Sequence, residues 1–225
     1  MQKNEIVSSE ESDINDKRKE KLKKLFEYEE TRENGKIVLL NKKLKLVQLT
    51  DCKEDREIYK TVITDYKDFL HNFRKLDTNI DREEFYDFES LHDDCEKFPL
   101  FACYDKQNRL IGTCGSRHRI TVQNGQNELS LQEISERMMQ KYIKHGYGAI
   151  AFAVVADYFL KKKQNFFFAV FSDSRDYYRK INDIIASFYF IGSKNRQIDK
   201  DFLGYFGAQD FYCSLNFDGL LEQLI

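Results

Sequence analysis

Three observations predict an α/β (α+β) protein built on a mixed, mostly antiparallel sheet, with one central parallel strand-helix-strand crossover and helices on both faces. Leu129 to Ile134 alternates apolar and polar residues with the two-residue period of a half-buried strand. Ala149 to Leu160 is apolar on nearly every side, as a buried helix is, and ends in Lys161-Lys162-Lys163, cations suited to the negative end of a helix dipole. Phe166 to Phe171 is a continuous apolar run of strand length, expected of a strand covered on both faces. Between the first strand and the helix stands Lys144-His145-Gly146-Tyr147-Gly148-Ala149. Strand, glycine turn, buried helix and buried strand make the two strands parallel neighbours. The helix then turns its unpaired N–H groups and positive dipole end to a glycine-cleared approach, so an anion site is expected there.

The rest of the chain builds outward from that unit. Residues 1–35 are dominated by Glu, Lys, Asp, Ser and Asn and are read as a charged N-terminal arm, flexible or partly helical, with 36–225 as the folded domain. Within the arm, Leu22, Leu25 and Phe26 have the i, i+3, i+4 spacing of a helix over residues 17–33, and docked helix and solvated arm stand as equal readings. Gly35 closes the arm. Ile37 to Thr50 gives a hairpin or bent strand that starts the sheet, and Asp55 to Lys75 carries Ile58, Val62, Ile63, Tyr66, Phe69, Leu70 and Phe73 at helical spacing. Asp81 to Cys95 predicts a second helix, with Asp81 as N-cap and Glu84 three residues on, ended by Pro99. Leu100–Tyr104 and Leu110–Cys114 flank a polar turn and form a hairpin whose second strand runs through Arg117-His118-Arg119 to the Asn124-Gly125 turn. Beyond the crossover come a helix from Ser174, an aromatic and β-branched strand over Ile184–Ile191, and a last strand over Asp210–Phe217.

Composition narrows the function classes. Lysines plus arginines (36) nearly cancel aspartates plus glutamates (38), so no global field favours nucleic acid or an anionic membrane. Five cysteines (Cys52, Cys95, Cys103, Cys114, Cys213) show no C-x-x-C pair and are odd in number, which fits a reducing, cytoplasmic compartment. No apolar run reaches the roughly 18 residues of a membrane span, and the first residues of the sequence lack the apolar core of a secretory signal, so a soluble chain is expected. The histidines (His71, His92, His118, His145) share no metal-ligand spacing with one another or with the cysteines, so no metal is expected. The chain also holds no Gly-Lys-Ser/Thr P-loop, and the third glycine of a dinucleotide fingerprint is missing.

The order of elements and the Gly146-Tyr147-Gly148 turn together resemble the GNAT acyltransferase superfamily over about residues 44–217. Members of that family carry Arg or Gln, two residues, Gly, one residue, then Gly or Ala. The frame here is Ile143-Lys144-His145-Gly146-Tyr147-Gly148, so Ile143 departs at the polar first position, while Tyr142 stands where the family often has an aromatic residue. Tyr178-Arg179-Lys180-Ile181-Asn182 is similar to the family's Tyr-x-Lys-Leu-Gly run, with Asn182 in place of glycine. The resemblance implies acetyl-CoA or another acyl-CoA as co-substrate, held around Met138, Lys144, His145, Gly146, Tyr147, Gly148 and Ala149, with Tyr178 as general acid and an amine-bearing small molecule or protein as acceptor. A narrower likeness is that of Glu133-Ile134-Ser135-Glu136-Arg137 to the Glu-x-Ser-Arg of acyl-homoserine-lactone and long-chain N-acyl amino acid synthases, with Glu136 intruding before Arg137. Phe188-Tyr189-Phe190 would then line an acyl tunnel. The abundance of phenylalanine favours a filled interior and a short acyl group instead.

Each candidate has a plainer reading beside it. Glu133 and Glu136 are candidates for the base, and either is also an ordinary solvated strand residue; alternation puts Glu133 on the face of Leu129 and Leu131, where desolvation would raise its pKa. Tyr178 sits among aromatics that suit core packing, and His145 suits an exposed loop. Arg117-His118-Arg119 reads as a solvated edge or as a contact for an acidic partner. Two function classes remain in view: an N-acyltransferase, and a GNAT-like module without catalysis that binds a protein partner through its N-terminal arm.

Overall fold

The computed structural model describes residues 24–74, 99–124, 127–162, 164, 166–170 and 210–213. Its strands are β1 (Tyr28–Glu33), β2 (Lys36–Asn41), β3 (Leu44–Gln48), β4 (Leu100–Asp105), β5 (Leu110–Asn124), β6 (Asn127–Met138), β7 (Phe166–Val170) and β8 (Asp210–Cys213). They lie side by side in chain order in one sheet. Every neighbouring pair is antiparallel except β6 and β7, which are parallel and joined by a helix. We label Lys53–Arg74 α1 and Tyr147–Lys161 α2. The helices and strands expected over Asp81–Cys95, from Ser174 (with Tyr178) and over Ile184–Ile191 fall outside the described residues.

The two helices cover opposite faces. Helix α2 is apolar on nearly every side because most of it is buried: Ala151, Ala153, Val154, Val155, Ala156 and Phe159 are sealed from solvent. They pack on Leu39, Leu46, Phe101, Cys103, Cys114 and Ile134 of the sheet. On the other face Tyr59 and Ile63 of α1 pack with Leu49, Leu100 and Ala102. Asp55 fixes the start of α1 by accepting hydrogen bonds from Lys36 Nζ (2.6 and 2.7 Å) and from the Thr50 amide and hydroxyl (2.7 Å each).

The N-terminal boundary needs correction. Residues 28–33 are neither arm nor helix but β1, the edge strand, paired from Tyr28↔Asn41 to Glu33↔Lys36. Asn34 and Gly35, with φ of 51° and 81°, form the two-residue hairpin turn that suits twisted strands, so Gly35 opens the sheet rather than closing an arm. Phe26 is 5% exposed within the main core. Asn41 Nδ2 donates to Leu25 O (2.9 Å) and Glu27 O (2.7 Å), tying this segment down. The folded unit therefore reaches back at least to residue 24, not 36.

Candidate active site

The site is set by where β6 leaves its partner. In parallel register Gln132 faces Phe166 and Glu133 faces Phe167; the pairing stops there, although β6 runs on to Met138 and β7 to Val170. On its other side β6 stays paired with β5 from Ser116↔Ile134 to Gly112↔Met138. Opposite Glu133 that ladder is interrupted as well, since Arg117 and His118 bulge between Ser116↔Ile134 and Arg119↔Gln132. Bulges re-aim a strand locally, and this one coincides with the last pair between β6 and β7. Beyond Glu133, β6 therefore has no strand partner on its β7 side among the described residues, and this parting of the two strands is the candidate cleft.

At the mouth of that cleft the chain turns into α2. The Met139 amide donates to Ile111 O (2.9 Å), and the Gln140 amide to Asp65 Oδ1 of α1 (2.7 Å), so both neighbouring elements pin the exit of β6. A 3-10 turn over Gln140–Tyr142 follows, then Lys144 and Gly146 with φ of 69° and 80°. The helix begins at Tyr147, two residues before the expected Ala149. Ile150 is its first amide with a helical acceptor, Gly146 O at 3.3 Å, which leaves the N–H groups of Tyr147, Gly148 and Ala149 at the open positive end. Around them stand the exposed Lys141, Lys144 and His145, the last stacked on the Tyr147 ring. Tyr142 is buried against Tyr147 with Lys141 Nζ 4.9 Å above its ring. Lys141 was not singled out by sequence reasoning; its signal was only its nearness to the glycine turn.

Beneath the helix end lie Glu136 and Met138. A Cβ placed on Gly148 would come within 3.3 Å of Met138 Cγ, 3.4 Å of Glu136 Cγ and 3.9 Å of Glu136 Oε1. A larger residue there would touch Glu136 and make Met138 shift by a few tenths of an ångström, so the glycine lets the helix terminus lie close on the strand. Glu136 is therefore half-buried on the face of α2, beside Ile134 and Met138, and not a solvated strand residue. Cys103 and Cys114 share that face. Burial pushes both thiols well above their ordinary pKa, and the nearby Glu136 carboxylate adds to the rise. Neither is a thiolate near neutral pH, so neither is primed as a nucleophile.

Strand alternation places Glu133 on the other face, toward α1, together with Ser135 and Arg137. Glu136 thus lies on the side of the α2 terminus, while Glu133 belongs by strand alternation to the opposite face, at the last pair between β6 and β7. Arg137 was noted in the sequence with no role of its own; it is 6% exposed and lies opposite Thr113, itself 1% exposed. Met138, Lys144, His145, Gly146, Tyr147, Gly148 and Ala149 lie together where β6 turns into α2. Tyr178 lies outside the described residues.

Solved structures similar to this chain include an acetyltransferase of the GNAT family from Staphylococcus aureus, with 12% identity and a TM-score of 0.48, covering 76% of this chain and 98% of that one. An acetyltransferase from Agrobacterium tumefaciens is 16% identical with a TM-score of 0.46, covering 78% and 92%. A spermidine N-acetyltransferase from Vibrio cholerae is 16% identical with a TM-score of 0.45, covering 77% and 93%. No protein-family model matches the chain, and no curated protein does.

Proposed function

We propose that this chain is an N-acyltransferase that takes an acetyl or other short acyl group from a coenzyme A thioester and places it on a primary amine. The observation that carries the reading is the end of β6–β7 pairing at Glu133↔Phe167, followed on the same strand by the turn that presents the first amides of α2. A cleft between diverging parallel strands admits an extended pantetheine-like arm, and the helix N-terminus at its mouth suits a diphosphate. The fit rests on three features: the unpaired amides of residues 147–149, the absence of a Cβ at Gly148, and the cations Lys141, Lys144 and His145.

The donor supplies an activated thioester carbonyl; the chain supplies position and proton transfer. Unpaired N–H groups along the free edge of β6 suit that carbonyl oxygen. With the donor's phosphates on the α2 side, the amine enters from the α1 side, where Glu133 lies at the cleft apex. Glu133 takes the proton of the incoming ammonium, directly or through water, and the new C–N bond replaces the C–S bond. Tyr178, by the resemblance of its motif, returns a proton to the leaving sulfur. The raised pKa values of Cys103 and Cys114 support direct transfer over an acyl-cysteine route. Sealed aromatic side chains on the α2 face, Phe101 and Phe159 among them, support a short acyl group, since they leave the interior filled.

Calorimetric titration with acetyl-CoA, followed by thiol release with a panel of primary amines, tests the reading. Saturable binding and amine-dependent thiol release are expected. Absence of binding would leave the chain as a GNAT-like module without catalysis.

A further inference from the structure

Arg137 is a buried cation that the reaction as drawn does not use. It is 6% exposed, yet among the described residues no hydrogen bond, ion pair or aromatic ring meets its guanidinium. Burying a guanidinium is costly unless an anion or several acceptors receive it. At 6% exposure the side chain keeps a narrow opening to solvent. A cation held nearly dry, with no partner among the described residues and some access remaining, is arranged for a ligand.

Its place in the fold says which ligand. Arg137 lies in the stretch of β6 that has parted from β7, opposite Thr113 and on the same face as Ser135 and Glu133. The donor's phosphates have their own site on the opposite face at the α2 terminus, where Gly148 stands over Glu136. The α1 face is thus the acceptor's side. Four residues along a strand separate the Cα atoms of Glu133 and Arg137 by about 13 Å, a span that two long side chains shorten to the size of an amino acid. We infer that Arg137 is a specificity-determining residue that binds a carboxylate on the acceptor, so that the amine substrate is an amino acid or another amine bearing a carboxylate. This inference rests on the acyltransferase reading for its substrate, but the anion site itself is a property of the folded chain. A planar guanidinium receives a carboxylate by two parallel hydrogen bonds, which fixes orientation as well as adding affinity.

The test compares matched amines with and without the carboxyl group: phenylalanine against phenethylamine, and δ-aminovalerate against pentylamine. The wild-type protein is expected to prefer the carboxylate-bearing member of at least one pair in kcat/KM by roughly tenfold to a hundredfold, the range of a charge-assisted hydrogen bond. In Arg137→Gln that ratio collapses toward one, mainly through KM, Arg137→Lys keeps part of it, and acetyl-CoA affinity stays with the wild type. A second readout needs no turnover. Removing an unpaired buried cation leaves the melting temperature of the ligand-free protein equal or higher, and the preferred amino acid raises it in the wild type but not in Arg137→Gln. A lower melting temperature of the ligand-free variant would make Arg137 a structural residue. Weakened acetyl-CoA binding would assign it to the donor's phosphates, and no preference within either pair would also overturn the inference. If no amine is acylated, the acyltransferase reading fails by itself; thermal stabilisation by a carboxylate, lost in Arg137→Gln, then still upholds the anion site, and its absence refutes it.

Discussion

Gly148 stands directly over Glu136: a Cβ at the first would meet Cγ of the second at 3.4 Å and Oε1 at 3.9 Å. The terminus of α2 and the free stretch of β6 are separated by little more than a van der Waals contact, and the proposed anion site borders that contact at the open end of the helix. Gly148→Glu puts a side chain and a negative charge into it and is expected to weaken acetyl-CoA binding by at least tenfold in calorimetry. Gly146→Ala meets nothing within 4 Å but must adopt a φ of +80°, so its cost is expected in stability, about 1 kcal/mol, more than in affinity.

The two glutamates of β6 should separate kinetically, because strand alternation assigns them to opposite faces. Glu133→Gln is expected to lower kcat by roughly a hundredfold to ten-thousandfold, the usual contribution of a general base, and to remove the acidic limb of the rate profile. Glu136→Gln, below the α2 terminus, is expected to change acetyl-CoA affinity instead. Single-turnover acylation measured across pH distinguishes them, and the reverse pattern would move the base to Glu136.

The revised N-terminal boundary predicts a stability effect. Phe26→Ala empties a core position at 5% exposure and should cost about 3–5 kcal/mol in urea unfolding. Removal of residues 1–35, which takes away β1 with it, should lower the melting temperature by many degrees. An unchanged midpoint in both variants would show that β1 and Phe26 are not part of the cooperative unit.

Asp55 gives a pH dependence whose sign follows from its surroundings. Burial alone would raise its carboxyl pKa, but Lys36, both Thr50 donors and Cys52 outweigh burial and hold it below the ordinary value. A carboxylate depressed on folding contributes stability that is present above its unfolded pKa and is lost as pH falls through its folded pKa. Asp55→Asn is expected to cost on the order of 2 kcal/mol at pH 7 through lost charged hydrogen bonds. The difference from the wild type should shrink as pH is taken from 7 down through the range below about 4, followed by urea unfolding at each pH.

The sequence alone determined the crossover and the glycine turn that opens its helix, for a reason of range. The alternation of Leu129–Ile134, the all-apolar Ala149–Leu160 and the run at Phe166 are patterns of adjacent residues, and a glycine turn before a helix fixes its own amide geometry locally. The edge strand β1 was not legible. Tyr28-Glu29-Glu30-Thr31-Arg32-Glu33 has half-buried residues only at Tyr28 and Thr31, a spacing that fits no strand period, because the strand is held by main-chain pairing to β2 rather than by a buried face. The roles on β6 were likewise beyond the sequence. Alternation told Glu133 from Glu136, but which face receives the α2 terminus depends on how the crossover packs, and both faces of this sheet are covered. Only the tertiary structure brought Glu136 under Gly148 and buried Arg137 with no partner among the described residues, since burial and pairing are made by residues far apart in the chain.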